Sequence, residues 1–196
     1  MKVRVRKQKM KHHTEMTCAW AMNHPLERDY HDNEWGIPVY DDVKLFEFLT
    51  LEGAQAGLSW ITILKKREGY RLAFDGYDLE KLAQYDETRA PYIIEHFDVV
   101  KHKGKIASVY SNARAALLLQ QEYGSLSKAL WQFVDGQPVL NHWQQISDIP
   151  TSTPTSKAMS QFLKKKGFKF IGETICYAFM QAVGMVNDHL ADCPKR

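Results

Sequence analysis

Four residues of the chain have the types and spacing to hold one metal ion. Cys18 and His31 lie thirteen positions apart, and His189 and Cys193 lie four apart in His189-Leu-Ala-Asp-Cys193. A four-residue step on a helical turn puts both side chains on one face, which suits two ligands of one ion. Two thiolates and two imidazoles make the closed tetrahedral set of a structural zinc site. A zinc hydrolase would need an open metal position, which this set does not leave. A structural ion would stabilise terminal segments that have little core of their own. The spacing suits ordinary thiols equally well, so at this level both readings stand. His12, His13, His24, His96, His102 and His142 show no comparable pairing, and Cys176 sits in the apolar run Ile175–Met180 as a packed core thiol.

Glu52 is the second unusual residue. It falls three positions after Leu49 and seven after Leu45, so it points with an apolar helical stripe. Carboxylates are rarely buried unless they are paired or functional. Trp60 follows two helical turns later, and Trp20, Tyr30 and Trp35 cluster around the first ligand pair. Aromatic walls with one acid suit a flat, electron-poor ring, and a cationic base would gain cation–π contact. An aromatic core with a rim-exposed Glu52 fits the same pattern.

The third feature is the segment Leu163-Lys-Lys-Lys-Gly-Phe-Lys-Phe-Ile-Gly172. Gly167 and Gly172 allow a tight turn with positive φ and close backbone approach. Backbone N–H groups opening the following helix could hold a phosphate. Lys164, Lys165, Lys166 and Lys169 would supply the counter-charge. Nothing here is placed to read base edges, so binding of this kind would be independent of sequence. A helical hairpin with a solvated lysine face is the plainer alternative.

These features need a helical frame. The pattern predicts helices over about 41–56, 59–74, 78–85, 91–96, 104–123, 125–134, 155–166 and 172–183. In the first, Leu45, Phe48, Leu49 and Ala56 share one side, and Asp41 or Asp42 can cap the start. In the fifth, Ile106, Val109, Tyr110, Ala113 and Leu117 form the stripe. Ile149–Pro154 reads as a connection, and 135–148 as loop or extended chain. Strand-like alternation is almost absent, so the expected fold class is all-α.

With 196 residues, 44% of them hydrophobic, the chain can bury one core, as one unit of two helical lobes over 17–196. Lys2, Arg4, Arg6, Lys7, Lys9 and Lys11 precede the first acid, Glu15, so residues 1–16 read as a disordered, solvated basic arm. The net charge of +3 says little about nucleic acid. No run of about 18 apolar residues exists, so no membrane span is expected. Three cysteines and no signal-peptide pattern point to a reduced, cytoplasmic protein without disulfides.

Longer segments carry a family resemblance. They are Cys18-Ala-Trp20, Tyr30-His-Asp-Asn-Glu-Trp-Gly36, Leu51-Glu-Gly-Ala-Gln-Ala-Gly-Leu-Ser-Trp-Ile61, Lys65-Lys-Arg67, His102-Lys-Gly-Lys-Ile106, Asn112-Ala-Arg114, Ile149-Pro-Thr-Ser152, Lys165-Lys-Gly-Phe-Lys-Phe170 and Asn187-Asp-His189. Together they resemble the bacterial type I 3-methyladenine DNA glycosylases of the helix-hairpin-helix superfamily, over about residues 17–194. The resemblance implies one structural zinc held by Cys18, His31, His189 and Cys193, fastening the N- and C-terminal segments together. It implies a base pocket with Glu52 as the catalytic residue, Trp60 stacking on the base, and Tyr30, Trp20 and Trp35 beside it. It implies DNA contacts through Lys166, Gly167, Lys169 and Gly172. Two departures stand out. Pro25-Leu26 is followed by Glu27 where relatives often carry an aromatic, and the chain stops at Pro194-Lys195-Arg196 without the longer Cys-containing tail of some relatives.

The resemblance also implies a reaction. A monomeric, monofunctional DNA repair enzyme would flip 3-methyladenine, and 3-methylguanine as a further substrate, out of double-stranded alkylated DNA. It would hydrolyse the N-glycosidic bond without strand cleavage. A non-catalytic reader of alkylated bases is the alternative. Where many helix-hairpin-helix glycosylases carry a catalytic Asp, this chain places Asn187, with Asp188 expected to orient His189.

Overall fold

A computed structural model of the chain describes residues 18–196, and the basic arm read over 1–16 lies outside the described residues. The backbone is mostly helical. Its first long element, α1 (Pro25–Asn33), is not among the helices that the hydrophobic pattern predicts. The reason lies in its buried stripe, Glu27, Tyr30 and His31, which carries no aliphatic residue. Local signals are present instead: Pro25 sits in the first turn, and His24 Nδ1 accepts from the Leu26 backbone N–H at 3.1 Å.

Helix α2 (Asp42–Gln55) is the centre of the molecule. Asp41 caps it, accepting from the Lys44 N–H at 2.8 Å. Every residue from Leu45 to Ala54 is buried, so α2 is covered on all sides rather than on the single expected stripe, and Ala56 falls just past its end. Each fully buried Leu or Phe here contributes roughly 1.5–3 kcal/mol. Helix α3 (Trp60–Ala73) packs on α2. Helices α4 (Leu79–Gln84) and α5 (Ala90–His96) pack on the long α6 (Lys103–Tyr123), which also crosses α2. Asp42 sets the next element, α7 (Leu126–Trp131), by accepting from the Leu126 and Ser127 N–H groups, each at 2.8 Å.

Helices α8 (Pro154–Lys165) and α9 (Glu173–Ala182) pack together around the lysine-rich turn. Thr153 and Ser156 form a capping box at the start of α8. The segment read as loop or extended chain contains β1 (Val139–Leu140), which pairs in parallel with β2 (Val186–Asn187). A further bridge joins Trp143 to Leu190. The helices share one contiguous buried cluster. Among the described residues, no helix is long and apolar enough to cross a membrane.

Candidate active site and metal centre

The structure brings Cys18, His31, His189 and Cys193 into one buried group whose ligand atoms all lie within 4.8 Å of one another. Helix α1 supplies His31, and the segment after β2 supplies His189 and Cys193. The outer nitrogen of each ring is already committed. His31 Nδ1 lies 2.7 Å from Asp32 Oδ1, and His189 Nε2 lies 3.0 Å from the Trp35 carbonyl oxygen. Both partners accept, so each outer nitrogen carries the proton, and His31 Nε2 and His189 Nδ1 face inward bare. Cys193 Sγ is 3.5 Å from both inner nitrogens. Cys18 Sγ is 3.8 Å from His189 Nδ1. Burial holds the His189 ring neutral, pushed down to about 4, and pushes the Cys18 thiol up to about 11. Gly36, at φ +78°, gives His189 its room: a Cβ there would stand 3.1 Å from two atoms of the ring.

Beside this group opens a cleft of about 350 Å³. Trp20, Tyr30, Trp35, Glu52 and Trp60 all line it, so the five sequence-predicted pocket residues come together. The Tyr30 and Trp60 rings lie 5.1 Å apart, and Trp20 meets Trp35 edge-on at 5.2 Å. Trp35 in turn packs edge-on against His189 at 4.7 Å, so the Cys/His cluster backs the aromatic wall. Glu27 is buried on α1 but does not line the cleft.

Glu52 is 4% exposed and, among the described residues, has no hydrogen-bond or ion-pair partner. The rim-exposed alternative is therefore wrong. Burial alone pushes its carboxyl up to about 8. Tyr30 is held well above the phenol range by burial and by the nearby Glu52 carboxyl. The Trp60 indole Nε1 is also buried without a partner. An unpaired acid and an unpaired donor in one aromatic cleft are costly unless a ligand satisfies them.

Other pocket residues were not legible in the sequence. Ile146, Ile149, Pro150 and Thr151 form part of the wall, and Gln55, Thr174, Tyr177, Ala178 and Gln181 complete the lining. Asp188 does not orient His189 as expected. It is fully buried and accepts from Asn141 Nδ2, Trp143 Nε1, Tyr177 Oη and Gln181 Nε2 at 2.7–2.8 Å. The carboxylate that bonds a histidine of the cluster is Asp32, on His31. Asn187, at the position of interest for catalysis, accepts from the His189 backbone N–H at 3.2 Å.

A part-buried ion network joins α1, α2 and α3. Arg67 on α3 makes a two-pronged contact to Glu34 at 2.6 and 2.7 Å and a third bond to Glu47 at 2.6 Å. Lys44 joins at 2.9 Å from Glu47. Burial would raise the Glu34 carboxyl, but Arg67 and Lys44 outweigh it and hold it below the usual range.

The hairpin differs from expectation in two respects. Gly167 takes φ +95°, but Gly172 sits at φ −75° as the N-cap of α9, and the second left-handed position is Phe170 at φ +55°. Lys166 pairs with Glu122, and Lys169 lies 3.3 Å from Glu87. The turn is pinned by Asn112, which accepts from the Lys169 N–H at 2.8 Å and donates to its carbonyl at 3.1 Å.

A family model described as methyladenine glycosylase matches residues 20–196. The chain is 49% identical over 176 residues to DNA-3-methyladenine glycosylase 1 of Escherichia coli (strain K12), covering 90% of this chain and 94% of that protein. The crystal structure of a 3-methyladenine DNA glycosylase I matches with a TM-score of 0.87 at 49% identity, over 91% of this chain and 98% of that chain. A variant 3-methyladenine DNA glycosylase I solved in complex with 3-methyladenine matches with a TM-score of 0.88 at 39% identity, over 91% of this chain and 96% of that chain. The chain belongs to the methyladenine glycosylase family.

Proposed function

We propose that this chain is a DNA repair glycosylase that hydrolyses the N-glycosidic bond of 3-methyladenine in alkylated double-stranded DNA. The observation that carries the reading is Glu52, a buried carboxyl with no protein partner inside an aromatic cleft. The base is flipped out of the stack and enters the cleft against the aromatic wall that Trp60 and Tyr30 form together. Stacking of this kind is worth roughly 1–3 kcal/mol per base. Ionised Glu52 accepts from the N–H donors of the cationic base, and an unmodified neutral base brings no charge to offset its burial. 3-Methyladenine leaves as a neutral molecule, so departure needs no strong general acid. Water then adds to the sugar carbon as positive charge develops there, and its proton goes to solvent.

Cys18, His31, His189 and Cys193 hold one structural zinc ion in this reading. Tetrahedral zinc with N and S ligands has edges of about 3.3 Å between nitrogens and about 3.5 Å between N and S. The corresponding distances here are 3.1 Å between the nitrogens and 3.5–3.8 Å between N and S, close to that set. The closed set leaves the ion no part in the chemistry. It braces α1 and the C-terminal segment, whose residues back the pocket.

DNA approaches the α8–α9 turn, read as a helix-hairpin-helix element. Lys164 and Lys165 are exposed and, among the described residues, have no ion-pair partner, so their charge is available to phosphate. Lys166 and Lys169 would exchange their exposed partners Glu122 and Glu87 for phosphate at small cost. The Gly172 N–H at the start of α9 completes the contact, while the Gly167 N–H, donated to the Lys164 carbonyl at 3.0 Å, holds the turn itself.

The test is to incubate the protein with DNA treated with a methylating agent and to chromatograph the released bases. Free 3-methyladenine is the expected product, and the same trace reports whether 3-methylguanine accompanies it. Tight binding to methylated DNA with no free base would make the protein a reader and overturn the enzymatic assignment.

A further inference from the structure

The four groups around Asp188 are all donors, and two of them face the cleft. Asn141 and Trp143 bond Oδ1, while Tyr177 and Gln181 bond Oδ2. With four donors on its two oxygens, Asp188 acts as an acceptor-only carboxylate. This fixes the direction of each donor's side chain. The Gln181 amide must turn its nitrogen to Asp188, which leaves Oε1 as the other end of a side chain that lines the cleft. Among the described residues, no donor reaches Gln181 Oε1. The Tyr177 hydroxyl must likewise direct its proton to Asp188, so any further neighbour meets only a lone pair. From these constraints we infer that Asp188 is a positioning residue, which locks Gln181 and Tyr177 so that they present acceptor oxygens, and no donors, to the substrate.

The chemistry gives that polarity a use. The inference rests on the glycosylase reading, in which the substrate carries one positive charge throughout: on the base before cleavage, and on the sugar as the bond breaks. A donor turned into the cleft would oppose that charge at both stages. A pre-set amide oxygen favours it without reorganisation at the moment of reaction. Asp188 also anchors Asn141 and Trp143, from the segment that leads into the Ile146 and Ile149 wall. One buried carboxylate thus fixes the orientation of two pocket groups and the seat of a third wall.

The experiment is a double-mutant cycle read by single-turnover release of 3-methyladenine from methylated DNA. The variants are Gln181→Met, Asp188→Asn and the pair combined. Gln181→Met keeps the side-chain bulk and removes the acceptor, and its release rate should fall about tenfold, the scale of one modest hydrogen bond to charge. Asp188→Asn should lose at least a comparable factor, and the loss in the pair should fall clearly short of the product of the two single losses, because Asp188 acts in part through Gln181. Wild-type release by Gln181→Met, or losses that simply multiply in the pair, would overturn the inference. Should Asp188→Asn not fold, Trp143→Phe takes its place in the cycle with the same expected pattern at smaller amplitude. Release of base by the wild-type protein tests the glycosylase reading separately, so failure of one is distinguishable from failure of the other.

Discussion

His31 and His189 turn bare ring nitrogens toward each other across 3.1 Å. Two lone pairs at that distance repel, and each ring is held there by an acceptor behind it, Asp32 for one and the Trp35 carbonyl for the other. A cation between them turns the repulsion into coordination. The purified protein should therefore contain one zinc per chain by metal analysis. Cys193→Ser should lose most of it and lower stability by about 3 kcal/mol or more, which is about 6–12 °C in Tm for a chain of this size. Below its melting range the variant should still release base, because a closed four-ligand set would leave an ion no part in the chemistry. Full zinc content in Cys193→Ser would show that the ligand set is wrong.

Glu52 makes a prediction with a definite sign. Burial raises its carboxyl from an ordinary 4.5 to about 8 in the folded state. Between those values the unfolded chain is ionised while the native state keeps its proton. The native state then binds more protons, so stability falls as pH rises through this window and levels off above it. Glu52→Gln carries no such ionisation. Urea denaturation at pH 5 and pH 8 should show the variant gaining on the wild type by on the order of 3 kcal/mol. The same variant should lose nearly all 3-methyladenine release, and wild-type kcat/KM should climb toward pH 8 as the free enzyme ionises. Equal pH dependence of stability in the two proteins would remove Glu52 from the buried, unpaired role.

Glu52 stands out in the sequence because a carboxylate in an apolar helical stripe is rare, although the pattern alone also fits a rim-exposed acid. The long helices were legible for the same reason: α2 and α6 announce themselves by period and by capping residues such as Asp41. Helix α1 was not, since its inward face is Glu27, Tyr30 and His31, and hydrophobic period cannot see an aromatic-polar stripe. The role of Asp188 is not legible in the sequence, because a place beside His189 suggests a local contact. Its partners Asn141 and Trp143 lie 47 and 45 positions away, and pairing at that range is a property of the fold. The short strands fall in the same class: two residues each, too brief to alternate.

Arg67 is a further case of distant partners with a local consequence. Its guanidinium joins Glu34, which closes α1, to Glu47 on α2, and so ties both to α3. Helix α1 carries Tyr30 and α3 opens with Trp60, so the bridge joins the two helices whose rings pack 5.1 Å apart in the cleft wall. Arg67→Met leaves Glu34 and Glu47 partly buried with only Lys44 to share, which should cost roughly 3 kcal/mol in denaturant melts. Arg67→Lys keeps the charge but loses the two-pronged contact, and should fall between. The acid limb gives an independent check. Because Arg67 and Lys44 hold the Glu34 carboxyl below its ordinary 4.5, the pair stabilises the wild type above that pH and the benefit is lost as pH falls through the lower folded value. Arg67→Met should therefore flatten the acid side of the stability profile. It should also slow base release at temperatures where the variant is folded, because Tyr30 and Trp60 are no longer held in register. A variant as stable as wild type at neutral pH, or one with an unchanged acid limb, would show that the network is a surface ornament rather than the brace of the pocket.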